Sequence, residues 1–218
     1  MTGRPGADLP LVAVYADESC LGNGREGSNP GGAAGVIEYE REGPGGRDLS
    51  RWDYWISEPA TTNNRMALRS VIEAFRAIAR KGRFFRVVFT SDSQYLVKGM
   101  SDWVFGWMAR GWKRKGGEIE NLDLWREVVD VVRGHQLEPR WVRGHRGHPQ
   151  NEYANHLATR AAREQSQTSG LGPSMFDEWL AAERTHGRMT MEPVPFPDAA
   201  GFRPIRPYPV VRGPTLIV

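Results

Sequence analysis

Two short apolar runs, Leu11–Asp17 (LVAVYAD) and Arg83–Thr90 (RFFRVVFT), are rich in β-branched and aromatic residues. Each gives way to turn residues at an aspartate: Asp17 ahead of Gly22-Asn23-Gly24, and Asp92 within Ser91-Asp92-Ser93. Runs of this length read as strands buried on both faces, and such strands need helices to cover them. Gly31–Glu40 and Leu49–Ile56 read as two further strands joined by the turn Glu42-Gly43-Pro44-Gly45-Gly46, so the first three strands form an antiparallel meander.

From Asn64 to Lys81 the apolar period becomes helical. Leu68, Val71, Ile72, Phe75, Ile78 and Ala79 share one face, Asn63 or Asn64 is available as a cap, and Gly82 as the stop. Leu96–Gly111 and Asn121–Arg133 follow as helices separated by Gly116-Gly117, Arg140–Val142 as a short strand, and Asn151–Glu164 as a last helix. This order predicts an α/β fold built on a mixed five-stranded sheet with helices on its faces.

A chain of 218 residues can bury one full core and leave a remainder. The expected division is a 1–10 extension, a domain over 11–164 and a tail over 165–218. Eight of the 15 prolines fall between Pro173 and Pro214. Within the tail, Ser174 could cap a short amphipathic helix near 174–185; the rest, through Pro204–Pro209, is expected to be extended rather than packed. The lone Cys20 cannot form an internal disulfide, and no segment approaches the ~20 apolar residues of a membrane span. The N-terminus leads into no apolar signal core, so the expectation is a cytoplasmic monomer with no membrane partner.

Carboxylates that close neighbouring strands are suited to sharing a divalent cation, because hard oxygens must converge to hold it. The plainer alternative for Asp17 or Asp92 taken singly is a turn or cap residue. A second signal lies in Lys98–Lys115. It holds Lys98, Arg110, Lys113, Arg114 and Lys115 against one acid, Asp102, with Trp103, Trp107 and Trp112 interleaved. Cations hold phosphates and tryptophans pack on sugars or bases; the competing reading is that Trp103 and Trp107, four apart on a helix, are core packing.

Four segments in order set these signals in context. Tyr15–Asn23 followed by Pro30–Gly35, then Thr61–Met66, then Thr90–Tyr95, then Trp141–Glu152 resemble the four signatures of the bacterial ribonuclease H type 1 family, over roughly residues 11 to 163. The resemblance implies a ribonuclease H-like fold and an endoribonuclease that cuts the RNA strand of an RNA–DNA hybrid with Mg²⁺ or Mn²⁺, two ions with substrate. It makes Asp17 the ligand shared by both ions, Asp92 a second ligand, and His145, on Gly144-His145-Arg146-Gly147, a mobile histidine that helps protons or product leave. It also matches Cys20, Asn23, Asn63, Asn64 and Gln94 to positions that touch the minor groove and sugars, Thr62 to a phosphate-holding position, and the segment around Trp103, Trp107, Lys113 and Arg114 to the family's basic handle.

Three positions depart from the family. Ala67 stands where the second signature carries a glutamate, Asn155 where the last helix carries an aspartate, and Glu18 where a glycine follows the first aspartate. Asn155 could coordinate as a weak, neutral ligand; Ala67 offers nothing. Three readings are open: a rearranged enzyme in which Glu18, His156 or Glu152 replaces the lost acids, a non-catalytic binder of hybrids or other duplexes, or an enzyme disabled by these exchanges. Strand alternation argues against Glu18, since neighbours on a strand point to opposite faces. His156 lies about 100° round the helix from Asn155 and would reach the site only from its edge.

Overall fold

The structure is a computed structural model that describes residues 9–22, 29–43, 45–80, 82–144 and 146–209. The meander forms as β1 (Leu11–Cys20), β2 (Gly31–Gly43) and β3 (Gly46–Glu58), followed by α1 (Asn63–Ala79) and β4 (Arg86–Ser91). A broken helix comes next: α2 (Gln94–Lys98), a π turn (Gly99–Trp103) and α3 (Val104–Ala109). The domain closes with α4 (Leu122–Val132), β5 (Gln136–Trp141) and α5 (Pro149–Glu164). The sheet order is β5-β4-β1-β2-β3-β6, with β1 antiparallel to β2 and parallel to β4. The sixth strand, β6 (Gly172–Pro173), pairs with β3 and adds to the five expected. No helix among the described residues is long and apolar enough to cross a membrane.

Alternation along β1 decides which helices cover which face. Val12, Val14 and Ala16 join the cluster built with Leu68, Val71, Ile72 and Phe75 of α1 and Trp125 and Val128 of α4. Ala13 and Tyr15 face the other way, onto Tyr153 and Leu157 of α5. The cap of α1 is Thr62 rather than Asn63 or Asn64, because Thr62 is extended and its hydroxyl accepts from the Arg65 N–H at 3.3 Å. β5 begins at Gln136, before the expected Arg140. Gly134 turns the chain at φ +90° and the Gln136 N–H donates to the Phe85 carbonyl at 2.9 Å. Pro139 is tolerated there because β5 is an edge strand.

The prolines keep the chain after Ala199 largely extended, but the expectation that it is unpacked is overturned. α6 (Phe176–Thr185) buries Phe176 and Leu180 against α5 and the sheet. Farther on, Phe202 joins Leu11 and Val88, and Tyr208 enters the core beneath α3. A few aromatic anchors supply the burial that extended backbone lacks. Gln150 imitates a strand edge here: its amide donates to the Val194 carbonyl at 2.8 Å and accepts from the Val194 N–H at 3.1 Å.

The α6 side rests on a buried polar network. Glu38 is fully buried and accepts from Arg51 Nε at 2.8 Å, while Arg51 Nη1 reaches Asp177 of α6 at 2.9 Å and its guanidinium lies 4.8 Å from the Phe176 ring centre. Burial raises the Glu38 carboxyl above the ordinary range, outweighing the pull of Arg51. A raised acid stabilises the fold most below its unfolded pKa and loses that contribution as pH climbs through the folded value. Arg51→Ala should therefore cost about 3 kcal/mol in urea unfolding at pH 8, less at pH 5, and Glu38→Gln should recover part of the loss.

Candidate metal centre and nucleic-acid face

β1 and β4 run parallel in a register that pairs Ala16 with Ser91, so Asp17, on β1, is followed across the sheet by Asp92, the first residue past the end of β4. The carboxyl ends of both strands face the same opening, and a third acid joins them. Ligand oxygens of Asp17, Glu18 and Asp92 all lie within 4.8 Å of one another. This corrects the expectation that Glu18 aims away from Asp17. Alternation fixes where a Cβ leaves the strand, but β4 ends at Ser91 while β1 continues to Cys20. The longer glutamate side chain passes over the end of β4, where it meets the Ser93 hydroxyl. Ala67, where the family places its glutamate, is fully buried in the same core cluster as Ala16 and Leu96.

Electrostatics mark the cluster as one that favours a cation. Asp17 is 6% exposed. Burial first, and repulsion from Asp92 second, push its carboxyl up to about 8, against hydrogen bonds from the Glu18 backbone and the Asn151 amide. Glu152, on α5, adds to the negative field at Asp17. Glu18 is held well above the usual carboxylate range by burial, then by Asp17 and Asp92. Two raised acids converging with the Asp92 carboxylate are a donor set a divalent ion would satisfy.

The surrounding residues fix these acids. Glu18 N–H donates to Asp17 Oδ1 at 2.7 Å, and Asn151, 2% exposed, donates from Nδ2 to Asp17 Oδ2 at 3.3 Å. Trp141 Nε1 donates to the Asp92 carbonyl at 2.9 Å, at the end of β5. Gly144 lies so close that a Cβ there would sit 2.1 Å from Asp92 Oδ2 and would displace that carboxylate. Asn151, Trp141 and Gly144 were not singled out by the sequence reading. Glu18 is among the replacements the sequence offers, and strand alternation alone argues against it.

The remaining candidates spread around this centre. Asn155 is half-buried, accepts from Thr159 Oγ1 at 3.2 Å, and lines a groove of α5 and α6 with His156 and Arg160. The His156 ring lies 6.1 Å from that of Trp179, centre to centre, on the α6 side. Cys20 ends β1, and Thr62, Asn63 and Asn64 open α1. Gln94 opens α2, and its side chain accepts from Lys98 Nζ at 3.1 Å. Trp103 and Trp107 line a hollow with Tyr95, Arg114 and Glu120, and Trp107, 9% exposed, also packs into the core against Trp125. Lys113 and Arg114 are exposed on the loop after α3. His145 and Asn23 lie outside the described residues.

Known proteins share this architecture. Residues 10–163 match the family model for RNase H. The chain is 38% identical to the ribonuclease H of Pelobacter propionicus over 75% of its own length and 91% of the relative's. It is 44% identical to that of Cupriavidus necator over 68% and 93%. Among solved structures it resembles LC9-RNase H1, a type 1 RNase H with the type 2 active-site motif, at 62% identity and TM-score 0.85, covering 97% of this chain and 98% of that one. A foamy viral protease-reverse transcriptase solved with RNA/DNA hybrid shares the fold alone, at 15% identity and TM-score 0.55, over 75% of this chain and 21% of that one. With its four signatures in order, its strand-end acids and this match across its domain, the chain belongs to the ribonuclease H family.

Proposed function

We propose that this chain hydrolyses the RNA strand of RNA–DNA hybrids, using a divalent-metal centre held by Asp17, Glu18 and Asp92. The convergence of these three acids within 4.8 Å carries the reading. Glu18 supplies from β1 the carboxylate that Ala67 does not supply from α1. The hard, mutually repelling oxygens, with Asp17 buried and the other two partly so, fit Mg²⁺ or Mn²⁺, two ions with substrate, which when bound would polarise the scissile phosphate and activate water.

The chain's own residues do the rest. Asn151 and the Glu18 backbone orient Asp17, Trp141 holds the Asp92 backbone, and Asn155, in the groove of α5 and α6, is kept in this reading as a weak, neutral ligand. His145 is the proton carrier in this reading. Cys20, Asn23, Asn63, Asn64 and Gln94 read the hybrid, Thr62 holds a phosphate, and Trp103, Trp107, Lys113 and Arg114, on the handle, grip the strand. Membership of the RNase H family supports this partner, as does the RNA/DNA hybrid bound by the foamy viral enzyme of the same fold. A cytoplasmic monomer remains our reading, consistent with the single cysteine.

Labelled hybrid with Mg²⁺ or Mn²⁺ should be cleaved by the chain as it stands. Glu18→Gln should lower the rate at least ~100-fold, as should Asp17→Asn. Undiminished cleavage by Glu18→Gln removes Glu18 from the centre; tight hybrid binding without cleavage by the unaltered chain points instead to a non-catalytic binder.

Metal binding should depend on pH in a defined direction. In the metal-free protein Asp17 stays protonated up to about 8, so its contribution to stability is full below the ordinary carboxylate range and is lost as pH rises toward 8. A cation must displace that proton. The rise in Tm produced by Mn²⁺ over EDTA should therefore be larger at pH 8.5 than at pH 6, and Asp17→Asn should flatten the difference. For the handle, Lys113→Ala with Arg114→Ala should weaken hybrid binding and reduce the slope of log K against log salt by roughly one to two. An unchanged slope removes these cations from the interface.

A further inference from the structure

The segment after α6 lies beyond the family-model match, which ends at residue 163, and its described part brings Tyr208 into the core beneath the helix that carries the basic handle. It is fixed first to the outer edge of β5. Ile205 N–H donates to the Leu137 carbonyl at 2.8 Å and Arg203 N–H to Glu138 Oε2 at 2.5 Å, while Phe202 packs with Leu11 and Val88. From that anchorage Tyr208 reaches the π turn, where its hydroxyl donates to the buried Met100 carbonyl at 2.9 Å. Its ring lies 5.0 Å from that of Phe105, whose ring centre lies 4.1 Å from the Arg206 guanidinium.

A π turn interrupts the helix that carries the handle. Hydrogen bonds there span five residues, as in Val104 N–H to the Gly99 carbonyl, a rare single-turn geometry that recurs at functional sites. α4 grips it by pressing Trp125 onto Gly99, where an added Cβ would stand 2.0 Å from the indole. Tyr208 grips the same turn from the C-terminal segment. Trp103 ends the turn, and Trp107 and the Lys113–Lys115 loop follow from it, so the orientation of the aromatic and basic side chains depends on how the turn is held.

We propose that Tyr208 is a positioning residue for the handle: the C-terminal strap latches the π turn through the Met100 carbonyl and so sets the affinity for nucleic acid from outside the family domain. The inference rests on the reading that the handle grips the hybrid. The described contacts of Tyr208 are with Met100 and Phe105, on the helix that carries the handle, so the latch should act on binding and not on chemistry.

The test is Tyr208→Phe in the full chain, which removes one hydroxyl and keeps the ring, with Arg206→Ala as a second, exposed change. Amide hydrogen exchange over Gln94–Lys115 should quicken about tenfold in Tyr208→Phe, with the sheet unaffected. KM for labelled hybrid should rise about threefold to tenfold, with kcat within about twofold and the Mn²⁺-induced Tm shift unchanged. Arg206→Ala should move exchange and KM in the same direction by a smaller factor. Unchanged exchange in the π turn overturns the latch, and so does faster exchange with unaltered hybrid affinity. If the unaltered chain neither binds nor cuts hybrid, the functional reading fails on its own, and exchange still decides whether the latch exists.

Discussion

The parallel pairing of β1 with β4 is the constraint on which the site depends. Backbone hydrogen bonds in the register Ala16 to Ser91 hold the two following aspartates side by side, although burial first and repulsion from Asp92 second push the Asp17 carboxyl up to about 8. Such an arrangement persists because the strands are fixed elsewhere, by apolar faces packed on α1 and α4 on one side and α5 on the other. The core stabilises the sheet, and the sheet holds together charges that would separate in solution.

In the function proposed above, Glu18 supplies from the end of a strand the carboxylate that the family draws from α1. A carboxylate is useful at a point in space, and a three-bond side chain at the end of a strand reaches a point that an α1 residue reaches from across the core. The exchange requires two local conditions. β4 must stop before β1, leaving room for the glutamate to pass, and the α1 position must be small, which Ala67 satisfies.

The C-terminal segment gives a second case of function supported from a distance. Its first half is docked through the Glu38, Arg51 and Asp177 network and through Asp53, which accepts from the Tyr153 hydroxyl and the Met175 N–H. Its second half covers the β5 edge and enters the core at Tyr208. Covering an edge strand also removes a surface prone to pair with other chains. The sheet is thus bounded at both sides by the same tail, through β6 at β3 and the strap at β5.

Much of this was legible in the residues alone. The period of apolar side chains located β1 to β4, α1, α4 and α5 to within a few residues, and the four signatures marked Asp17 and Asp92, because local pattern and short spacing are carried by sequence. β5 was cut short because polar Gln136, Glu138 and Arg140 alternate with Pro139 on an edge, where burial leaves little trace. The tail was read as loose because proline content reports backbone conformation and not what Phe202 or Tyr208 would meet. Sequence by itself determined the strands, the helices and the acids that close the strands. Only the tertiary structure decided that Glu18 belongs with those acids and that the tail is packed, since both depend on contacts between residues far apart in the chain and on where neighbouring strands end.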